Sequence, residues 1–193
     1  MYRLSKISSI YLYIAILQCI SCSGALIAVE GTQKPVQTSI PSNQDVYDLQ
    51  ATRYRNLIEG SNYTKAIGQA IKDAAQTGGG IILFPGNTTV EISEAIIMEN
   101  KISFASSTGI ATIKCASGFK GSQMIAILSK EQLSFDHIRF DGNQKTNGIA
   151  SYGKDNKNIN IQYCEFVNFK APYRRGTGIA LQNTASVHID PVS

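Results

Sequence analysis

The chain has 193 residues, the length of one ordinary domain. Hydrophobic residues make up 43% and charged residues 17%, which excludes a disordered chain, and 16 glycines exclude a collagen-like or linker protein. The formal charge of +4, from 18 basic and 14 acidic residues, is too mild to argue for nucleic acid as a partner.

Residues 1–28 read as a secretory signal peptide. Arg3 and Lys6 form a short basic start, and residues 10–17 form an apolar run too short for a membrane span. Small residues from Ser21 to Ala25 then offer cleavage after Ala25 or near Ala28. Two readings compete with it: a membrane anchor, and lipidation at Cys22, where residues 19–22 resemble a lipobox with Cys in place of Leu. The chain is therefore expected to be secreted, or held at the cell surface or in a periplasm. Removing residues 1–28 leaves 165 residues and lowers the charge to +2, since Arg3 and Lys6 go and no acid does. Cys115 and Cys164 remain. Export would permit a disulfide, but each lies in an apolar strand-like run, which favours buried free thiols.

Residues 29–44 lack periodicity, carry two prolines and read as a flexible leader. Residues 45–49 alternate as a short strand. Over residues 64–77, Ile67, Ala70, Ile71, Ala74 and Ala75 fall on one helical face. Thr64 or Ser61 is expected to cap its start, and Gly78 to take the positive φ beyond its end. Gly78, Gly79 and Gly80 lead into a strand over 81–84 that Pro85 halts.

After residue 85 no helical period returns, and short apolar runs recur. Ile125, Ile149 and Ile179 are spaced by 24 and 30 residues; Leu133, Ile159 and Val187 by 26 and 28. Phe104 lies 31 residues before Phe135, and Phe140 lies 26 before Phe166. Such spacing predicts a solenoid whose coils stack Leu133 over Ile159 over Val187, and Phe135 over Ile161 over Ile189. An antiparallel sandwich is the competing fold; it is disfavoured because Asn147-Gly148 is the only Asn-Gly pair.

Residues 64–71, the Gly79-Gly80 pair and residues 81–85 together resemble the opening segment of right-handed parallel β-helix proteins of the pectate lyase superfamily. The resemblance spans about residues 45–190. It implies an all-β, right-handed parallel β-helix with an N-terminal capping α-helix, over residues 45–193. Residues 53–62 lack the Gly-Asp-Gly and paired-Asp stretch common in the family. Paired catalytic Asp, Gly-His-Gly and Arg-Ile-Lys signatures are missing too, so no catalytic residue is carried over.

Candidate chemistry comes from the residues themselves. Asp141, Asn143 and Lys145 form a polar loop that could bind a sugar hydroxyl, with Asp141 as a candidate calcium ligand. An Asx turn is the competing reading. Tyr173, Arg174 and Arg175 offer a flat ring and forked donors for uronate carboxylates. In a lyase reaction, Arg174 or Arg175 would stabilise developing charge, or act as base only in an unusual environment. His188 beside Asp190 is a candidate general acid/base pair, and His137 is expected at a similar rung position. Asn62 and Asn87 head glycosylation triplets.

These features predict a secreted carbohydrate-active protein acting on an acidic polysaccharide as a lyase, hydrolase or epimerase, with Ca2+ as the one cofactor considered. The alternatives are a non-catalytic, adhesin-like or tailspike-like surface module and an inactive remnant of a larger enzyme. Only four or five coils fit the length, and no cap follows residues 186–190. The stack is therefore expected to close on another chain, as a homo-oligomer, or to be the front of something longer.

Overall fold

The structure is a computed structural model. It describes residues 44–171 and 174–190, with backbone placement alone for Ala171, Arg174 and Arg175. The expected signal sequence, the expected leader up to residue 43 and Tyr173 lie outside the described residues.

The elements are β1 (Val46–Asp48), α1 (Thr52–Arg55), α2 (Thr64–Gln76), β2 (Gly80–Phe84), β3 (Thr89–Ile97), β4 (Ile102–Ser106), β5 (Ala111–Leu128), β6 (Glu131–Asp136) and β7 (Ile138–Asp141). They continue with β8 (Asn147–Tyr152), β9 (Asn156–Gln162), β10 (Glu165–Val167), β11 (Lys170–Ala171), β12 (Arg174–Arg175), β13 (Ile179–Ala180) and β14 (Thr184–Ile189). The strands coil into a parallel β-helix with three faces. The first face runs β1-β2-β4-β6-β9-β14, all parallel. β3 and β5 are long because each turns a corner: their first parts pair with one another and on to β7 and β10, making the second face. Their last parts pair on to β8 and β13, making the third.

The register matches the repeat spacing read from the sequence. Leu133 pairs with Ile159 and Ile159 with Val187; Phe135 pairs with Ile161 and Ile161 with Ile189. Ile125, Ile149 and Ile179 stack likewise, as do Phe140 and Phe166. Alternation explains the burial: Leu133 and Phe135 point inward and are almost fully buried, while Ser134 between them is half-buried. Phe84, Phe104, Phe135, Phe140 and Phe166 run through the core with successive ring centroids 5.0, 5.6, 5.9 and 5.2 Å apart. Each pair adds about 0.5–1.5 kcal/mol beyond its burial. In the last coil the same inward positions are open: Val187 is 39% and Ile189 37% exposed.

Helix α2 buries Ala66, Ile67, Ala70, Ile71 and Ala74 against the first strands. Its start differs from expectation. Tyr63 holds the N-cap position and makes no side-chain cap bond. Instead Asn62 Oδ1 accepts from the Thr64 amide at 3.0 Å and from its hydroxyl at 2.7 Å. An Asx side chain two residues back reaches the free amide that a threonine at the first helical position cannot. At the far end Gly78 and Gly79 have φ of 94° and 122°, and a Cβ on Gly79 would lie 2.5 Å from Lys101 Cβ. That collision makes the glycine obligatory where the chain turns from helix into coil.

Corners are made by residues in the left-handed region. Lys101, Gln132, Asn158 and Ser186 all have φ between 53° and 59°, at the starts of successive first-face strands. His137 and Tyr163 repeat the device where the first face meets the second. This corrects one expectation. His137 and His188 do not hold similar positions: Asp136 pairs with Gln162, which sets His137 opposite Tyr163, while His188 pairs with Asn160 within the strand.

Candidate functional site

The corner between the second and third faces is where the coils differ in length. It takes residues 93–95 in one coil, 116–122 in the next, 142–146 in the next and 168–178 in the last. Hydrogen bonds lock these loops to one another. Asn143 Nδ2 donates to the Cys115 carbonyl at 2.9 Å, and Thr146 Oγ1 to the Gly121 carbonyl at 3.1 Å. The Gln144 amide donates to the Asn168 carbonyl at 2.7 Å and the Lys170 amide to the Thr146 carbonyl at 3.2 Å. The two polar loops expected from the sequence are therefore neighbours, joined by a third, residues 116–122, that sequence reasoning missed. Ser117-Gly118 and Gly121-Ser122 are the turn signals that could have marked the loop over 116–122.

Within this corner Asp141 acts as a turn carboxylate. Its Oδ1 accepts from the Asn143 amide at 2.9 Å and from Asn168 Nδ2 at 3.0 Å. Asn143 itself adopts φ 47° and spends its side-chain amide on the Cys115 carbonyl. Among the described residues no group of three His, Cys, Asp or Glu side chains comes together as a metal cage. One Asp141 oxygen is thereby engaged in holding the turn.

The cations do gather here. Lys120, Lys145 and Lys170 are exposed on successive loops, and Arg174 and Arg175 belong to the β11–β12 hairpin of the last. Stacked coils lie about 4.8 Å apart, so the loops present cations in sequence along the axis. The acids at the corner are Glu94, opposite Lys120, and the turn-bound Asp141.

Next to the corner lies the third face, whose exterior is apolar. Ile97, Ala126, Ala150 and Ala180 form one outward ladder, Leu128 and Tyr152 the next. Ile97 and Leu128 are each 56% exposed and Tyr152 42%. Tyr152 donates to Gln123 Oε1 at 3.3 Å, and Ala126 and Ala150 on the neighbouring ladder are buried. Tyr152 reads in sequence as part of a turn; its strand alternation with Ala150 is the signal that places it on this face.

His188 and Asp190 stand on the first face, 4.0 Å apart, with side chains 68% and 46% exposed. The structure does not bring them to the arginines. A closer dyad, unrecognised in the sequence, is His137 Nδ1 with Asp136 Oδ1 at 2.6 Å, both mostly buried, the ring 4.9 Å from that of Tyr163. Cys115 and Cys164 are free and buried; burial pushes both thiols up to about 12, and the Asp141 charge adds to the effect at Cys115. Neither is a nucleophile at neutral pH. Asn62, bonded through both amide atoms, is a poor glycan acceptor, whereas Asn87 is exposed.

The fold and its corner define a parallel β-helix protein with a cationic loop edge. Comparison adds little beyond that. No family model matches the sequence, and no curated protein does. Among solved structures, a "putative glycosyl hydrolase" from Parabacteroides merdae ATCC 43184 aligns with 77% of this chain and 95% of its own, at 9% identity and a TM-score of 0.35. A likeness that weak carries no argument about activity.

Proposed function

We propose that this chain is an exported, carbohydrate-active β-helix protein that takes an acidic polysaccharide along the corner between its second and third faces. One observation carries the reading: Lys120, Lys145, Lys170 and the Arg174–Arg175 strand converge on one edge, beside an apolar face that presents Tyr152. Uronate carboxylates suit the cations, and a sugar ring suits an exposed aromatic side chain. Processing of that chain as a lyase, hydrolase or epimerase is the finer part of the proposal. In lyase chemistry the corner cations would stabilise the charge that develops beside the carboxylate. A second reading, a non-catalytic glycan binder, is favoured by the position of His188 and Asp190 on the first face, apart from the corner.

The test is affinity electrophoresis on polygalacturonate, alginate and neutral dextran, with the same chains then assayed for unsaturated or shortened products, with and without calcium. The expected result is retardation by the acidic chains that falls with added salt. Equal migration on all three would overturn the reading; binding without product would select the non-catalytic form.

A further inference from the structure

The second face carries a feature that the corner does not use. Its outward ladder next to the first face is Thr89, Thr112, Arg139 and Glu165, in register from coil to coil. The corner beside this ladder takes residues 85–88 and 107–110 in two coils, then shrinks to His137 alone in the next. The step leaves a notch of about 240 Å3, lined by the ladder with Asn87 and Ile110 as its wall. That is room for about eight waters, enough for one sugar ring.

The wall is rigid. The Asn87 amide donates to the Ile110 carbonyl at 3.1 Å, the Gly86 amide to Ser107 Oγ at 2.9 Å, and Thr88 Oγ1 to the Pro85 carbonyl at 2.7 Å. A Cβ on Gly109 would lie 2.3 Å from Asn87 Oδ1, so the glycine is what lets that carboxamide lie where it does. Preorganised walls lower the ordering cost of binding.

The floor offers donors and acceptors without net charge. Arg139 Nη1 lies 3.2 Å from Glu165 Oε2, and each cancels the other. The next ladder across, Glu91, Lys114 and Asp141, mixes signs as well. Among the described residues, the hydroxyls of Thr89 and Thr112 make no hydrogen bond to another protein group. We propose that this notch is a subsite for a neutral sugar, with the paired Arg139 and Glu165 as donor and acceptor for adjacent hydroxyls, the threonine hydroxyls and Asn87 completing the polar shell, and Ile110 against the ring. An anion gains nothing where the arginine is already paired. The proposal is independent of the cationic corner, which is proposed for anionic sugars.

The test is titration of the 15N-labelled protein with methyl glucoside, methyl galactoside, methyl mannoside and galacturonate, followed by amide shifts. At least one neutral glycoside should shift Thr89, Thr112 and Arg139 saturably in the millimolar range, with galacturonate weaker. Thr112→Val and Arg139→Met should each weaken that titration about tenfold, while polygalacturonate binding at the corner stays unchanged. Thr112→Val exchanges an outward side chain for one of equal shape, and a thermal melt of both variants checks that each is folded. No shift with any neutral glycoside up to about 100 mM, an unchanged midpoint in both folded variants, or tighter binding of galacturonate would overturn the assignment.

Discussion

The two corners that flank the second face are built on opposite principles. Where the first face meets the second, a single left-handed residue, His137, makes the turn in one coil, and Gly86 and Gly109 let adjacent turns touch in the coils before it. Where the second meets the third, the chain spends between three and eleven residues, including a small antiparallel hairpin. The phenylalanine stack passes the tight corner, with Phe135 and Phe140 on either side of His137. The loose corner varies in length while Phe119 and Phe169 anchor its loops against the core, and there the cations collect. Loop closure costs grow slowly with length, so a β-helix tolerates long loops at one corner while the others stay short.

This contrast can be broken experimentally, starting with the core beside the tight corner. Phe135→Ala removes a fully buried ring from the middle of the stack and should cost about 3–5 kcal/mol, read as a lower midpoint in urea. Gly86→Ala places a Cβ 1.9 Å from the Thr108 carbonyl oxygen, a backbone atom that cannot step aside. A loss of about 1–3 kcal/mol is expected from that overpacking, and an unchanged melting temperature would show the corner to be soft. At the loose corner the expected loss is of binding. Replacing Lys120, Lys145 and Lys170 together by Ala should weaken polygalacturonate binding roughly tenfold at low salt, leaving the melting temperature nearly unchanged.

The buried thiols give a pH test of the core between the corners. Their folded values rise from 9.0 to about 12. Well below pH 9 both states keep their protons and the thiols contribute no pH dependence. Between 9 and about 12 the unfolded thiols ionise and the folded ones do not, so stability should fall by up to about 1.4 kcal/mol per pH unit for each thiol. Melting curves across that window, compared with a Cys115→Ala, Cys164→Ala variant, measure it; an identical slope would remove the thiols from the account. The smallest effect is expected from shortening the hairpin at residues 170–175 to a two-glycine turn, which should change stability by less than about 1 kcal/mol.

Much of this architecture is legible in the chain. The recurrence of Leu133, Ile159 and Val187, and of Phe140 and Phe166, identifies the inward ladders because inward positions must repeat once per coil and must be apolar. The face of α2 is legible for the same reason. The start of α2 was not, since capping falls to Asn62 through a short polar side chain that any turn would also favour. His137 was misplaced because its flanking residues alternate like a rung, while its own backbone is left-handed, a property that sequence shows poorly outside glycine and asparagine. Asp141 and Asn143 were legible as a turn.

Taken alone, the sequence determined the coil period, the inward residues, the capping helix and the lack of inherited catalytic signatures, all consequences of local pattern. Only the tertiary structure decided which loops share a corner, that Lys120 joins Lys145 and Lys170, that Tyr152 faces outward at the far end of the third face, and that His188 stands on another face. Those facts depend on unequal loop lengths and on stacking between residues 25 or more positions apart, which no local period records.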